Sequence, residues 1–245
     1  MDGWCSVEEL TRLGFARTPV VMANEAHNGM TRCVRTREVG VRMIQAAHQA
    51  GVRRLAMEAL PSPANDASEP IRDIPSRDGG YLAQPDMRRL ITTALELGWS
   101  LWAYEARIEF RKEKAELLSL EFTNWRESEQ ANNLCQIVAA APEDPILVWC
   151  GNGHADREGG DGWIPMGHHF AVTSGIQQFV IDQTVTVDFT GQGPDPWVRD
   201  LLAELEGTLA ACGGCAGILR EQAPLPLDCR LGVDAVVVST ENELT

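Results

Sequence analysis

Five short, nearly continuous apolar runs, most of them rich in β-branched or aromatic residues, fall at residues 19–23, 54–57, 100–104, 146–150 and 235–239. A strand with one wet face alternates apolar and polar side chains, so a run without alternation is one buried on both faces. Helical patterns at 34–50, 86–97 and 111–140 separate the first four runs, and parallel strands need a crossover of that kind. The fold class is therefore α/β: a single-domain, open, mostly parallel sheet with helices on both faces. Residues 179–181 and 185–189 add a sixth strand or a hairpin, and a further helix spans 197–205 after Pro194-Asp195-Pro196. No repeat, low-complexity tract or linker divides residues 1–245, which read as one domain.

The charge balance narrows the partners. Thirty-five acidic side chains against 21 basic ones give a net charge of −14, and such a surface lacks the positive field that nucleic acid or an anionic lipid surface requires. No run approaches the 18 or so apolar residues of a membrane span. Met1-Asp2-Gly3-Trp4-Cys5 has neither the basic nor the apolar region of a signal peptide, so the expected location is cytoplasmic. Seven cysteines, an odd number scattered along the chain, read as reduced thiols rather than a disulfide framework. Cys33, Cys135 and Cys150 lie in apolar patterns. Cys212 and Cys215 have the spacing of half a zinc site, but no second pair exists, and they read as structural.

Two stretches, 61–85 and 154–169, are long, rich in Gly, Pro or Asp, and read as loops that can border a binding site. The polar residues after the first four strands are Asn24, Glu25 and His27; Glu58; Glu105; and Gly151, Asn152, Gly153 and His154. In an open parallel sheet the carboxyl ends of the strands share one edge, where ligands bind. One Glu or His after a strand is ordinary helix capping. Two histidines and two carboxylates ending three strands form a site suited to hydrolysis, because a histidine can take a proton from water while a carboxylate fixes its tautomer. Glu25 or Glu58 supplies that carboxylate or holds the water itself, and Glu25, two residues from His27, favours its protonation. No Gly-X-Ser-X-Gly elbow, Walker lysine or dinucleotide fingerprint is present.

The segments Val20-Val21-Met22-Ala23-Asn24-Glu25-Ala26-His27-Asn28, Leu55-Ala56-Met57-Glu58-Ala59 and Trp149-Cys150-Gly151-Asn152-Gly153-His154-Ala155 resemble the erythromycin esterase/ChaN/Tiki superfamily. The resemblance runs from Val20 to about Gln183. It implies His27 as general base, Glu25 and Glu58 as residues that bind or orient water, His154 as the second motif histidine, and Arg126 as the helix arginine. Asn24 stands where the family has Gly. Read without the family, Arg126 is equally a surface partner of Glu127 or Glu129. Asn24, Tyr81, Tyr104, Glu105, Asn152 and His168 are candidate substrate-binding residues, whereas His48 at a helix end reads as structural.

The resulting expectation is a hydrolase that uses His27 to activate water against an ester, lactone or amide bond of a small metabolite or natural product, without a cofactor. A metal-dependent, Tiki-like alternative places zinc or manganese on His27, Glu58 and His154. A non-catalytic alternative, by resemblance to ChaN members, is haem or ligand binding. Macrolide esterases of the family are longer than this chain, so the partner is expected to be a smaller molecule. Oligomeric state is not set by these features.

Overall fold

A computed structural model describes residues 3–61, 67, 69–71, 80–107, 119–227, 232–241 and 243–245. Helix α1 (Val7–Arg17) opens with a capping box in which the Ser6 side chain accepts from Glu9 N–H and the Glu9 carboxylate accepts from Ser6 N–H. There follow β1 (Val20–Glu25), a hairpin of β2 (His27–Asn28) and β3 (Thr31–Arg32), α2 (Val34–Gln49) and β4 (Arg54–Met57). A 3₁₀ turn at Tyr81–Ala83 leads into α3 (Pro85–Glu96), then β5 (Ser100–Ala103), α4 (Leu120–Ala140) and β6 (Ile146–Gly151). The chain continues through α5 (Met166–Ser174), β7 (Phe179–Asp182), α6 (Pro196–Glu204), α7 (Glu206–Ala211), β8 (Cys215–Leu219) and β9 (Ala235–Ser239).

Among the described residues the main sheet has seven strands in the order β5-β4-β6-β1-β7-β9-β8. Every neighbouring pair is parallel except β8 with β9. Because side chains alternate across a strand, Val21, Ala23, Leu55, Met57, Leu147 and Trp149 enter one core with α1, α2 and α3. Met22, Ala56, Val148 and Cys150 enter the other with α4 and α5. A third cluster packs Leu205 and Leu209 against Ile218, Val236 and Val238. Both faces are thus dry over most of the sheet, which is why the strands read as unbroken apolar runs.

Several expectations are corrected. β1 and β6 run on to Glu25 and Gly151, so Asn24, Glu25 and Gly151 are strand residues rather than residues beyond the strand. Residues 185–189 form no strand: Val187 N–H closes a turn on the Thr184 carbonyl. The sequence reading missed α1, whose signal is the Ser6/Glu9 box. It also missed β8, hidden behind Gly213 and Gly214, which both take positive φ and look like loop. The spacing of Cys212 and Cys215 belongs to that corner. Cys212 ends α7 and Cys215 is a fully buried first residue of β8 whose sulfur accepts from Arg42 Nη1 at 2.8 Å. The helix expected over 111–140 begins at the Ser119 cap; residues 111–118, and most of the loop expected over 61–85, lie outside the described residues. No helix among the described residues is long and apolar enough to cross a membrane.

Candidate active site

The carboxyl ends of β1, β6, β4 and β5 lie side by side, and a cleft of about 210 Å³ opens there. Among the described residues it is lined by Glu25, His27, Glu58, Ala59, Tyr81, Glu105, Trp149, Cys150 and Gly151. His27 opens the small hairpin just past β1. Its ring packs edge-on against Tyr81, with centroids 5.6 Å apart, and its Nε2 lies so close over Gly151 that a Cβ there would overlap it. The Nδ1 atom is buried without a hydrogen-bond partner among the described residues. Burial pushes the imidazole below its ordinary pKa, although the Glu58 charge works the other way, so His27 is neutral at neutral pH.

Glu58, one residue past β4, is the hub. Its Oε1 accepts from Arg126 Nη2 at 2.5 Å and its Oε2 from Gly151 N–H at 2.8 Å, with His154 Nε2 3.7 Å from Oε1. Burial alone would raise its pKa, but His154, Arg126 and the Gly151 amide together hold it well below the carboxylate range. Arg126 reaches inward from α4 and also donates to Glu105 through Nε at 3.0 Å and Nη2 at 2.5 Å. Glu105 further accepts from Gln130 at 3.1 Å. Arg126 is therefore no surface partner of its helix neighbours Glu127 and Glu129, because the turn of α4 that carries it faces the sheet edge.

His154 is clamped from the far side. Its Nδ1 is 2.5 Å from Oε1 of Glu127, a fully buried carboxylate that also accepts from Met166 N–H at 2.6 Å. Burial would depress the imidazole, yet Glu58 and Glu127 outweigh it and raise the pKa to about 9. A folded-state pKa above the unfolded value of about 6.5 stabilises the protein fully below pH 6.5 or so, and that stabilisation is lost as pH rises through 9. Urea midpoints of the wild-type protein are thus expected to fall between pH 7 and pH 10, and His154→Gln to flatten that decline. An equally steep decline in the variant would assign it to other groups.

Glu25 does not bond to His27. It pairs with Arg37, whose Nε lies 2.5 Å from Oε2, and burial still pushes its carboxyl up to about 7 against that guanidinium. Glu25 therefore gives His27 no proton-stabilising contact, contrary to the expectation from their spacing. Arg37 is fully buried, stacks under the Tyr81 ring at 4.5 Å, and also binds Gln84 and Asp86. Neither Arg37 nor Glu127 was a sequence candidate. The available signal was a charged residue on the otherwise apolar inner stripe of α2 and of α4, beside Val41 and Ile44 in one case and Ala131 and Leu134 in the other.

The other candidates divide. Tyr81 and Glu105 line the cleft. Tyr104 does not: it is wholly buried on the α4 face and its hydroxyl donates to the Trp149 carbonyl at 2.9 Å. Asn24 is buried among backbone and side-chain partners, donating to Asp182 Oδ1 at 2.7 Å and accepting from Gln183 N–H at 2.7 Å. Asn152 is turned onto the backbone of His27. His168 is exposed on α5, with Nδ1 2.9 Å from the Arg157 carbonyl, away from the cleft. His48 accepts from Trp99 Nε1 at 3.1 Å. Of the set expected for zinc or manganese, Glu58 is engaged by Arg126 and the Gly151 amide and His154 by Glu127 through Nδ1; among the described residues no three His, Cys, Asp or Glu side chains are grouped to hold a metal ion.

No protein-family model matches this sequence, and no curated protein is significantly similar to it. Solved structures are similar in fold. The type III effector HopBA1 superposes with a TM-score of 0.51 at 13% identity, covering 96% of this chain and 94% of that one. A Bacillus cereus protein gives 0.51 at 11% identity over 98% and 93%. An erythromycin esterase variant in its open conformation gives 0.36 at 19% identity over 65% of this chain and 48% of the esterase. At these identities the likeness to the first two is one of fold: an α/β chain built around a mostly parallel sheet.

Proposed function

We propose that this chain is a hydrolase of the erythromycin esterase/ChaN/Tiki type, cleaving an ester, lactone or amide bond in a small metabolite or natural product by general-base activation of water. The observation that carries this reading is that His27 lines the cleft beside Glu58 while His154 lies 3.7 Å behind that carboxylate, and that their surroundings drive the two pKa values apart, His27 down and His154 up. Such a split is how one site holds a free base beside a fixed cation at neutral pH. His27 Nε2 takes a proton from water as the water oxygen bonds to the carbonyl carbon, and the carbonyl electron pair moves onto oxygen. Glu58 steadies the imidazolium that forms. Collapse of the tetrahedral adduct breaks the bond to the leaving group, which recovers the proton from His27. Arg126 Nη1, which makes no hydrogen bond among the described residues, is the donor left to meet the oxyanion. A cleft of about 210 Å³ suits a small acyl group better than a macrolide, since pockets for drug-sized ligands start at roughly 300 Å³.

Hydrolysis of p-nitrophenyl acetate and butyrate, a small lactone and an anilide in ¹⁸O-water tests the reading. One ¹⁸O is expected in the released acid, and no turnover of any of these would count against it. Activity is expected to survive chelation, with well under one metal per chain by elemental analysis. About one zinc or manganese per chain, together with reversible loss of activity, would replace general-base catalysis with a metal-bound water.

A further inference from the structure

We propose that Asn152 is a positioning residue: its carboxamide imitates a peptide group and extends the β1–β6 ladder by one step to fix the backbone of His27. The inference rests on His27 being the base. β1 and β6 pair in register up to Glu25 opposite Gly151. Beyond that point the backbone of residue 152 turns away, with φ +33°, a left-handed conformation that Asn tolerates better than most residues. Its side chain then supplies what the departing strand no longer can. Asn152 Oδ1 accepts from His27 N–H at 3.1 Å and Nδ2 donates to the His27 carbonyl at 3.0 Å. One donor and one acceptor on His27 leave a single workable orientation of the amide. Its own backbone is held too, since Asn152 N–H donates to the Glu25 carbonyl at 2.7 Å and its carbonyl accepts from Asn24 Nδ2 at 2.5 Å.

The neighbours show what this turn achieves. Gly151 leaves room for the His27 ring, Asn152 fixes the backbone that carries it, and the chain two residues on delivers His154 to the other side of Glu58. A ladder continued by ordinary backbone pairing would keep residues 152–154 extended beside β1. A side-chain amide holds His27 while releasing the main chain.

Asn152→Gly removes the amide and is conformationally easy at positive φ, so it is expected to fold. Against p-nitrophenyl acetate its kcat should drop about 10²-fold, the cost of displacing a reacting group by roughly 1 Å, with KM changed less than about threefold. The protein has five histidines, so the His27 ring proton can be assigned by its loss in His27→Gln, and its NMR titration followed. In N152G that titration should move up toward the ordinary value of about 6.5 as the ring leaves its packed position. An unchanged kcat, or an unchanged His27 titration, in folded N152G overturns the proposal. If wild-type protein hydrolyses no ester, the base reading fails while the titration still decides whether Asn152 positions His27. If N152G does not fold, hydrogen exchange in the wild-type protein decides: a protected His27 amide supports the bridge, and free exchange overturns it.

Discussion

Replacing His27 with glutamine is expected to lower kcat by about 10²–10⁴-fold, the usual contribution of a positioned general base, with little change in melting temperature. Glutamine fills much of the space and still accepts a hydrogen bond, but it cannot take a proton from water near neutral pH. The fold should tolerate the change because His27 sits on a two-strand hairpin outside the main sheet and its buried Nδ1 has no partner among the described residues to orphan. The pH profile offers a second check. A base must be unprotonated to work, and burial lowers the His27 pKa, so the acid limb of kcat/KM should reach half-height below pH 6.5 or so. A folded H27Q with near-native kcat would remove His27 from the chemistry. A wild-type acid limb centred well above 6.5 would remove the neutral-base account of it.

Arg37→Met is expected to produce the largest loss of stability, about 3–5 kcal/mol, the cost of leaving a buried charge without its partner. Arg37 is fully buried and joins Glu25 on β1, Gln84 before α3 and Asp86 within it, while its plane lies under Tyr81. Methionine replaces most of the volume, so the cost is electrostatic. Glu25 already has a folded-state pKa of about 7, raised by burial, and loss of the guanidinium moves it higher. A carboxyl whose folded pKa is raised is fully destabilising above that pKa, and the penalty is relieved as pH falls from it toward the unfolded value of about 4.3. The deficit of R37M against wild type should therefore shrink between pH 8 and pH 5, and adding Glu25→Gln should recover part of it. Urea titrations at both pH values measure this; an R37M deficit under about 1 kcal/mol, or one independent of pH, would mean that the pair carries no such load.

Alternation of unbroken apolar runs with helical patterns was enough to determine a mostly parallel sheet covered on both faces, because a strand dry on both sides leaves no other signature. It also determined that His27, Glu58, Glu105 and His154 would meet, since parallel strands deliver their carboxyl ends to one edge. β8 escaped detection because Gly213, Gly214 and Gly217 erase the apolar pattern of an antiparallel edge strand. Only the tertiary structure decided which charges pair. Glu25 lies two residues from His27 along the chain, yet Arg37 on α2 takes it, and Arg126 passes over two glutamates on its own helix to reach Glu58 and Glu105. Asn24 and Tyr104 stand at strand ends, but their side chains turn into the protein interior, whereas Asn152 turns onto backbone. Sequence order fixes which residues arrive at the edge; the direction of each side chain, and so its partner and its protonation, is set by helices that contact that edge from elsewhere in the chain.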